Sequence, residues 1–391
     1  MTGDRVAARI YLDNAATSFP KPGAVYDAVD RFNREVGAAV GRSAYQSAVD
    51  VQRGVDHCRS QAAQLLGAPD SNRIVFTFNG TDSLNLAIHG LLQPGDHVVT
   101  TVVEHNSVLR PLRALQETRN VELTHVDCDK TGRIEPADIR NAIRPNTKLI
   151  AVIHASNVTG TIQPVVEIGE IALQAGVRFL VDAAQSAGHL PIDVSKFPVD
   201  LLACPGHKGL LGPLGTGLLY VARGCEAELN SVRQGGTGSH SEDDRQPESL
   251  PDKYESGNHN TPGLIGLEAA LTWLLDRGVD AGREHERELT GRLVEGLSSV
   301  PDLRIFGPPN PQQRVGVVSV SHPDFEPQVL AAVLDEHFAV QTRAGLHCAP
   351  KIHERLGTLN SGGTVRFSVG PFTATNDIDT AIAAVRESTS A

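Results

Sequence analysis

Long apolar runs and an excess of basic residues are both missing from this chain of 391 residues. No stretch approaches the roughly 18 uninterrupted apolar residues that suggest a membrane-spanning helix, and no apolar signal segment lies near residue 1. Lys and Arg number 35 against 46 Asp and Glu, so the formal net charge is −11. An acidic chain argues against nucleic acid or an anionic membrane as the main partner. We expect a cytoplasmic protein that binds neither.

Cysteine is scarce and scattered. The chain has five cysteines, an odd number, and no two of them have Cys-x-x-Cys spacing: Cys58, Cys128, Cys204, Cys225 and Cys348. The pattern argues against a disulfide scaffold and against a structural zinc site. His347, Cys348 and His353 lie close in sequence, but no second cluster has ligand spacing, so we expect no metal.

Apolar segments alternate with amphipathic ones from about residue 73. The candidate strands are Ile74–Phe78, His97–Val102, Val121–Val126, Lys148–His154, Val177–Val181, Leu201–Ala203 and Gly217–Val221. Helical patterns lie between most of them, at Asp82–Leu92, Ser107–Glu117 and Val165–Ala175. Such alternation predicts an α/β protein whose mostly parallel sheet is covered on both faces.

Two domains are expected from the length and the pattern. A large domain, residues 20–262, would hold the seven-stranded sheet. A helical segment beyond Pro262, Gly263–Leu275, would begin a smaller α+β domain made of residues 1–19 and 263–391. Functional residues of parallel sheets collect at the carboxyl ends of the strands. We therefore expect the polar residues that follow the candidate strands to converge.

Lys208 and Asp182 carry the most specific chemistry. Lys208 lies in Gly206-His207-Lys208, after the apolar segment 199–203, and Asp182 ends the apolar segment 177–181. Pyridoxal phosphate chemistry needs a lysine that bonds the cofactor aldehyde. It also needs a carboxylate that keeps the pyridine nitrogen protonated. The pair predicts a pyridoxal phosphate site.

A phosphate site is predicted where Gly80-Thr81-Asp82 opens a helix directly after a strand, because free N–H groups and the helix dipole attract anions there. An ordinary helix cap is the alternative. Asp82 would oppose an anion unless its carboxylate turned away into the cap, and His207 could add a contact. The glycine-rich segments 212–217 and 235–238 fit no dinucleotide fingerprint, so we expect no nucleotide site.

Further candidates surround this core. His105 follows a strand, where its ring could stack on the cofactor and handle protons, although a purely structural histidine is the alternative. Asn157 and Gln185 could donate hydrogen bonds to the phenolic oxygen of the cofactor. Arg366 could clamp the α-carboxylate of an amino acid through two hydrogen bonds.

Cys348 lies in a loop between Gly345 and Pro350. The basic neighbours Arg343 and His347 would favour its thiolate, the nucleophilic form. A buried, inert cysteine is the general alternative. The sequence therefore offers Cys348 as a candidate nucleophile.

In this order the residues resemble the fold-type I pyridoxal phosphate enzymes of aminotransferase class V, and within them the group II (SufS/CsdA-like) cysteine desulfurases. The similarity runs from Tyr11–Thr17 to Arg366–Gly370. The most specific matches are Val103-Glu-His105-Asn-Ser, Val181-Asp-Ala-Ala-Gln-Ser186, Gly206-His-Lys208 and Gly345-Leu-His-Cys348-Ala.

The resemblance implies a role for each candidate. Lys208 would form the Schiff base, Asp182 would bind the pyridine nitrogen, and His105 would stack on the ring and act in catalysis. The other implied contacts are Asn157 and Gln185 at the phenolic oxygen, Arg366 and Asn157 on the substrate, Cys348 as sulfur acceptor, and Gly80, Thr81, Asp82, His207 and Asn258 around the cofactor.

Three positions depart from the family pattern. Pro205 stands where many members have a serine, and Asp82 replaces the second hydroxyl residue of the phosphate turn. Asn258 replaces a threonine that reaches across a dimer to the phosphate. The resemblance still implies a homodimer, in which Asn258 would serve the neighbouring subunit.

The implied reaction converts L-cysteine to L-alanine and leaves a persulfide on Cys348, from which an acceptor protein could take the sulfur. Two alternatives stay open. One is a selenocysteine lyase or another class V lyase or aminotransferase, which needs no such thiol. The other is a non-catalytic sulfur carrier or binding protein, which would show no cofactor absorbance.

Overall fold

The computed structural model describes residues 9–41, 45–239 and 242–390, so the first eight residues of the predicted small-domain arm lie outside the described residues. Its strands, in chain order, are β1 (Ile10–Tyr11), β2 (Ile74–Thr77), β3 (His97–Thr101), β4 (Glu122–Val126), β5 (Thr147–Ile153), β6 (Arg178–Asp182), β7 (Leu201–Pro205), β8 (Gly217–Val221), β9 (Arg304–Phe306), β10 (Val317–Ser321), β11 (Val340–Gln341), β12 (Arg343–Gly345) and β13 (Thr364–Ser368).

The α-helices are α1 (Gly23–Arg31), α2 (Gln46–Leu66), α3 (Gly80–Leu91), α4 (Asn106–Arg119), α5 (Pro136–Ala142), α6 (Val165–Ala175), α7 (Thr261–Arg277), α8 (Val279–Ser298), α9 (Pro327–Phe338), α10 (Pro350–Leu356) and α11 (Thr375–Thr389). In the part of the chain that the structure describes, no helix combines the length and the apolar character that crossing a membrane requires.

The largest sheet of the described residues has seven strands in the order β2-β8-β7-β6-β5-β3-β4. Strand β8 is antiparallel to both of its neighbours, and every other adjacent pair in this sheet is parallel. The mostly parallel seven-stranded sheet is thus confirmed. All seven candidate strands are present, with ends displaced by two residues at most.

Both faces of this sheet are covered, because successive side chains of a strand point to opposite sides. Leu180 packs in an apolar cluster with Leu84 of α3 and Leu112 of α4. Val181, the next residue, packs in a second cluster with Ile168 of α6 and with residues of α2 and α7. This burial explains why β6 is a nearly continuous apolar run rather than an alternating one.

A second, antiparallel sheet of order β12-β13-β10-β9 lies in the C-terminal part. Helices α8, α9 and α11 cover it through a separate apolar cluster that includes Leu293, Leu334 and Val385. Strand β1 pairs in parallel with β11, which attaches the described N-terminal residues to this part of the chain. The arrangement is the α+β architecture expected for the smaller domain.

The predicted domain boundary at residue 262 stays a prediction, and the packing of α7 favours a later one. Leu264, Leu267 and Leu271 lie in the apolar cluster of the large sheet, together with residues of α2. Helix α7 ends at Arg277, and the φ of +80° at the next residue, Gly278, breaks the helix. We propose Gly278 as the point where the chain leaves the large domain.

Candidate active site

A cavity of about 80 Å³ opens at the carboxyl ends of strands of the large sheet. Strands β2, β5, β6 and β7 all end at or just before residues of its lining. Eight of the predicted site residues line it: Gly80, Thr81, His105, Asn157, Asp182, Gln185, His207 and Lys208. The expected convergence at one sheet edge is therefore what the fold produces. Ser107 also lines the cavity and was not predicted as a site residue.

The carboxyl group of Asp182 and the amino group of Lys208 are both buried in the lining of the cavity, and the charge of each affects the pKa of the other. Burial raises the pKa of Asp182, whereas its hydrogen bond from the Ala184 N–H (2.9 Å) and the charge of Lys208 lower it. Burial lowers the pKa of Lys208 to about 8, against the opposing effect of Asp182. About a tenth of Lys208 is therefore the neutral amine at pH 7, far more than for an ordinary lysine, and this is the form that bonds an aldehyde or accepts a proton.

His105 is held in one protonation state and one orientation. Burial, aided by the charges of Lys208 and Arg343, lowers the pKa of His105 to about 4, so the ring is neutral near neutral pH. Its Nδ1 accepts a hydrogen bond from the Ser107 N–H at 3.0 Å. The proton of the neutral ring consequently resides on Nε2. The ring can stack on a flat cofactor while Nε2 serves as a donor.

The Asp82 carboxylate is turned away from the cavity. Its Oδ2 accepts a hydrogen bond from the Phe78 N–H (2.9 Å) and lies 3.1 Å from Nη2 of Arg233. The Asp82 N–H donates to the Asn79 side chain, which caps α3. The Asp82 carboxylate therefore does not oppose an anion at this helix start, which meets the condition for anion binding, and Asp82 does not line the cavity.

The remaining groups at this end of the cavity fit a phosphate. A Cβ on Gly80 would lie 3.1 Å from Cδ of Pro205, so the backbone of α3 approaches β7 more closely than a side chain there would readily permit. Nδ1 of His207 is buried and has no hydrogen-bond partner among the described residues. A helix N-terminus, hydroxyl groups and an unpaired ring nitrogen together make a suitable phosphate cradle.

Arg366 is buried on β13 and already carries a counter-ion. Its Nη2 donates to Oδ1 of Asp13 at 2.8 Å and its Nη1 donates to the Asn157 carbonyl at 3.1 Å. Its Nε is buried without a partner among the described residues, and so is Oδ1 of Asn157. These unpaired groups leave hydrogen-bonding capacity for a ligand beside the cavity. Asp13 was not predicted, because nothing local links it to a residue 353 positions away.

Cys348 is the exposed one of the five thiols, all of which are free. Burial raises the thiol pKa of each of the other four cysteines above the ordinary value for cysteine, and the pKa reaches about 12 for Cys128, Cys204 and Cys225. Nη2 of Arg343 lies 3.7 Å from Sγ of Cys348. The predicted loop position is therefore correct, and Cys348 is not a buried cysteine. Its role as nucleophile stays a prediction.

The loop that carries Cys348 is tied to the rim of the cavity. The Cys348 carbonyl accepts the Asn106 N–H at 2.7 Å, and the His347 carbonyl accepts Nδ2 of Asn157 at 2.6 Å. Both His347 and Cys348 adopt positive φ values, 48° and 59°. Such a conformation is uncommon outside glycine and persists where surrounding contacts hold it. The backbone on both sides of the Cys348 thiol is thus fixed to Asn106 and Asn157.

Gln185 and Asn258 differ in how closely they match the prediction. Gln185 is buried and uses one N–H on the Ala15 carbonyl at 2.9 Å, which leaves a second N–H for a ligand. Asn258 is exposed and lines a separate depression with Phe78 and Arg233, outside the cavity of its own chain. Its predicted contact across a dimer stays a prediction. Within residues 9–41, 45–239 and 242–390, no group of three or more His, Cys, Asp or Glu is placed to hold a metal ion.

Comparison with known proteins gives consistent results. The aminotransferase class V family matches residues 10–380. A probable cysteine desulfurase of Methanothermobacter thermautotrophicus is 36% identical over 372 residues, which cover 94% of this chain and 92% of that protein. The apo structure of the cysteine desulfurase from Thermococcus onnurineus NA1 has a TM-score of 0.92 at 34% identity, over 98% of this chain and 95% of that one.

A third match is the cysteine desulfurase CsdA of Escherichia coli, with a TM-score of 0.88 at 29% identity over 98% of this chain and 95% of that one. The fold-type I prediction is thereby confirmed. The prediction of pyridoxal phosphate is confirmed as well, since members of the matching family use this cofactor. The chain belongs to the aminotransferase class V family, among its cysteine desulfurases.

Proposed function

We propose that this protein is a pyridoxal phosphate-dependent cysteine desulfurase in which Cys348 receives sulfur from L-cysteine. The observation that carries the proposal is the position of Cys348. It is the exposed thiol of the chain, and its carbonyl is hydrogen-bonded to the residue that follows His105. An aminotransferase has no need of a thiol held at this place. The geometry favours a group II desulfurase over the other class V reactions.

The residues of the cavity divide the work. The N–H groups at the start of α3 and the His207 ring would hold the phosphate of the cofactor, and Asp182 would face its pyridine nitrogen. When bound, pyridoxal phosphate supplies an electron sink for the charge left at the substrate Cα. Arg366 would bind the substrate carboxylate through its buried Nε–H, which lacks a partner among the described residues. Asn157 would add the second N–H of its side-chain amide, since the first is donated to the His347 carbonyl. Lys208, as a neutral amine, would take the Cα proton.

Sulfur transfer then follows from nucleophilic attack by the Cys348 thiolate on the sulfur of the substrate. An S–S bond forms, the C–S bond breaks, and its electron pair passes to the carbon, which becomes the methyl group of alanine after protonation. The net reaction is one cysteine thiol plus L-cysteine giving one persulfide plus L-alanine. Nε2–H of His105 and the ammonium of Lys208 are the proton donors at hand.

The mass of the peptide that contains Cys348 tests this proposal. After incubation with L-cysteine, that peptide should carry one additional sulfur, and alanine should accumulate. Cys348→Ser should form neither persulfide nor appreciable sulfide from L-cysteine, while Cys128→Ser should leave both unchanged. Release of sulfur by Cys348→Ser at the parent rate would contradict the proposal and favour a lyase. L-selenocysteine, offered in parallel, reports on the lyase alternative, since selenium can leave without a thiol acceptor.

A homodimer belongs to the same proposal, together with an acceptor protein that removes the sulfur. Large apolar side chains are exposed next to the segments that form the cavity: Phe19, Phe78 and Leu214. Where such side chains form one contiguous patch, they are typical of a protein interface. Light scattering at assay concentration should give the mass of two chains, and Asn258→Ala should then weaken cofactor retention. A fully active monomer would contradict the dimer alone.

A further inference from the structure

Two hydroxyl groups meet at the end of the cavity that α3 and α4 share. Oγ1 of Thr81, in the first turn of α3, lies 2.7 Å from Oγ of Ser107, in the first turn of α4. Both residues line the cavity, and Ser107 is only 9% exposed. The Ser107 hydroxyl also lies 2.9 Å from Nδ1 of His105.

The two helices contribute different groups at this point. On α3 the Gly80 and Thr81 N–H groups have no hydrogen-bond partner among the described residues, whereas the Asp82 N–H is capped by Asn79. On α4 the first two N–H groups are already used, because Asn106 donates to the Cys348 carbonyl and Ser107 to His105. An anion here would therefore find N–H donors from α3 and only a hydroxyl from α4.

The Ser107 hydroxyl is free to make such a contact. Nδ1 of His105 already accepts the Ser107 N–H, so the hydroxyl hydrogen can rotate towards the cavity without leaving that nitrogen unpaired. The Asp82 carboxylate does not compete, since it is bonded to the Phe78 N–H and to Arg233 on the far side of the turn. Asp82 thus contributes no side-chain group to the cavity, whereas Ser107 contributes a hydroxyl group.

From this geometry we infer that Ser107 is a phosphate-binding residue, which acts with Thr81 to hold the phosphate group of pyridoxal phosphate. The inference rests on the cofactor use of the family and on the cavity described above. It does not depend on the sulfur chemistry at Cys348. Ser107 thus supplies the second hydroxyl that position 82 lacks in this chain.

Binding of two related ligands to the cofactor-free protein tests the inference. Pyridoxal phosphate and pyridoxal share the ring, and only the first carries the phosphate. Ser107→Ala should weaken pyridoxal phosphate about tenfold, the size expected for one hydrogen bond to a charged acceptor. The Kd of pyridoxal should stay unchanged. Both values come from absorbance titrations and require no turnover.

Ser83→Ala is the matched control. Its hydroxyl is buried nearby on α3 and contacts Thr77 (2.7 Å), but it does not line the cavity, so the Kd of both ligands should stay at the parent value. Ser107→Cys keeps the size of the side chain and weakens the donor, and it should reproduce the selective loss even if Ser107→Ala folds poorly.

Two results would overturn the inference. An equal loss for pyridoxal and pyridoxal phosphate would show that Ser107 acts on the ring through His105, and no loss for either would show that its hydroxyl does not reach the ligand. Neither titration involves Cys348 or sulfide. A failure of the desulfurase proposal would therefore leave this test intact, and the reverse also holds.

Discussion

The bottom of the cavity and the loop of Cys348 present their reactive groups in opposite ways. Asp182 is the last residue of β6 and Lys208 lies shortly after β7. Burial shifts the pKa of each towards its neutral form. Cys348 is exposed, in a loop whose backbone adopts positive φ values. In the cavity, burial sets the protonation of Lys208 and Asp182. In the loop, hydrogen bonds from Asn106 and Asn157 fix the position of the Cys348 backbone.

The two regions meet different requirements of one reaction. A base needs a pKa near the working pH, and desolvation provides it without any nearby catalytic partner. A thiol that must first attack a substrate and then meet an acceptor needs access, which burial would remove. The Asn106 N–H and the Asn157 side chain join the two regions through the loop backbone.

Replacement of Lys208 should have the largest effect and should leave the loop untouched. Lys208→Ala should lower turnover of L-cysteine by about 10³-fold or more, since a positioned base contributes on the order of 10²–10⁴ and the lysine also bonds the cofactor. Alkylation of Cys348 by iodoacetamide, measured on the cofactor-free protein, should keep its parent rate. The assays are alanine formation and peptide mass.

Lys196→Ala is the control for this prediction, because Lys196 is an exposed lysine outside the cavity that pairs with Asp193. It should leave turnover unchanged. A marked change of Cys348 alkylation in Lys208→Ala would show that the two regions are coupled before substrate arrives, and the contrast between them would fail.

Replacement of Gly363 should disturb the loop that carries Cys348. Its φ is +102°, and a Cβ there would lie 2.1 Å from the Gly345 carbonyl oxygen at the end of β12. Gly363→Ala should lower the free energy of unfolding by about 2 kcal/mol or more, from backbone strain and collision together, and should reduce the yield of persulfide on Cys348. Denaturant unfolding and peptide mass measure the two effects.

Gly357→Ala measures the cost of a left-handed backbone conformation in the absence of a steric collision. Gly357 also has a positive φ, +73°, but among the described residues nothing beyond its own chain neighbours lies within 4 Å of the position that a Cβ would take. Only the cost of the left-handed conformation, about 1 kcal/mol, should therefore appear. Equal losses in the two variants would mean that β12 yields to the new methyl group without strain.

The sequence predicted the cavity bottom better than its surroundings, for a physical reason. Strand ends follow from runs of buried apolar residues, so the positions of Asp182 and Lys208 could be inferred from neighbours in the chain. The pairing of Asp13 with Arg366, and the contact of Ser107 with Thr81, depend on how distant segments pack. No local periodicity encodes either contact.

The placement of α7 shows the same limit. Pro262 interrupts the pattern and suggested a domain boundary, yet the apolar side chains that follow it pack on the large sheet. A break in local pattern marks the start of a helix, and it does not say which core that helix joins.

The last predicted effect is on the pH dependence of stability and concerns Glu104, a buried carboxyl group between β3 and His105. Its Oε1 accepts hydrogen bonds from the Thr101 hydroxyl (2.6 Å) and the Ile153 N–H (3.1 Å), and its Oε2 is buried without a partner among the described residues. Burial raises the pKa of Glu104 from 4.5 to about 8, so the folded protein holds a proton that the unfolded chain releases near pH 4.5. The unfolded state binds fewer protons between these values, and this group therefore lowers stability as the pH rises from 4.5 to 8.

Glu104→Gln removes that titration and keeps an oxygen that can accept both hydrogen bonds. The free energy of unfolding of the parent should fall more between about pH 5 and pH 8 than that of the variant. Glu117→Gln, on the exposed face of α4 where it pairs with Arg113, should keep the parent slope. If Glu104→Gln and the parent lose equal stability over this range, Glu104 is charged in the folded protein, and burial does not control protonation beneath His105 as it does at Lys208.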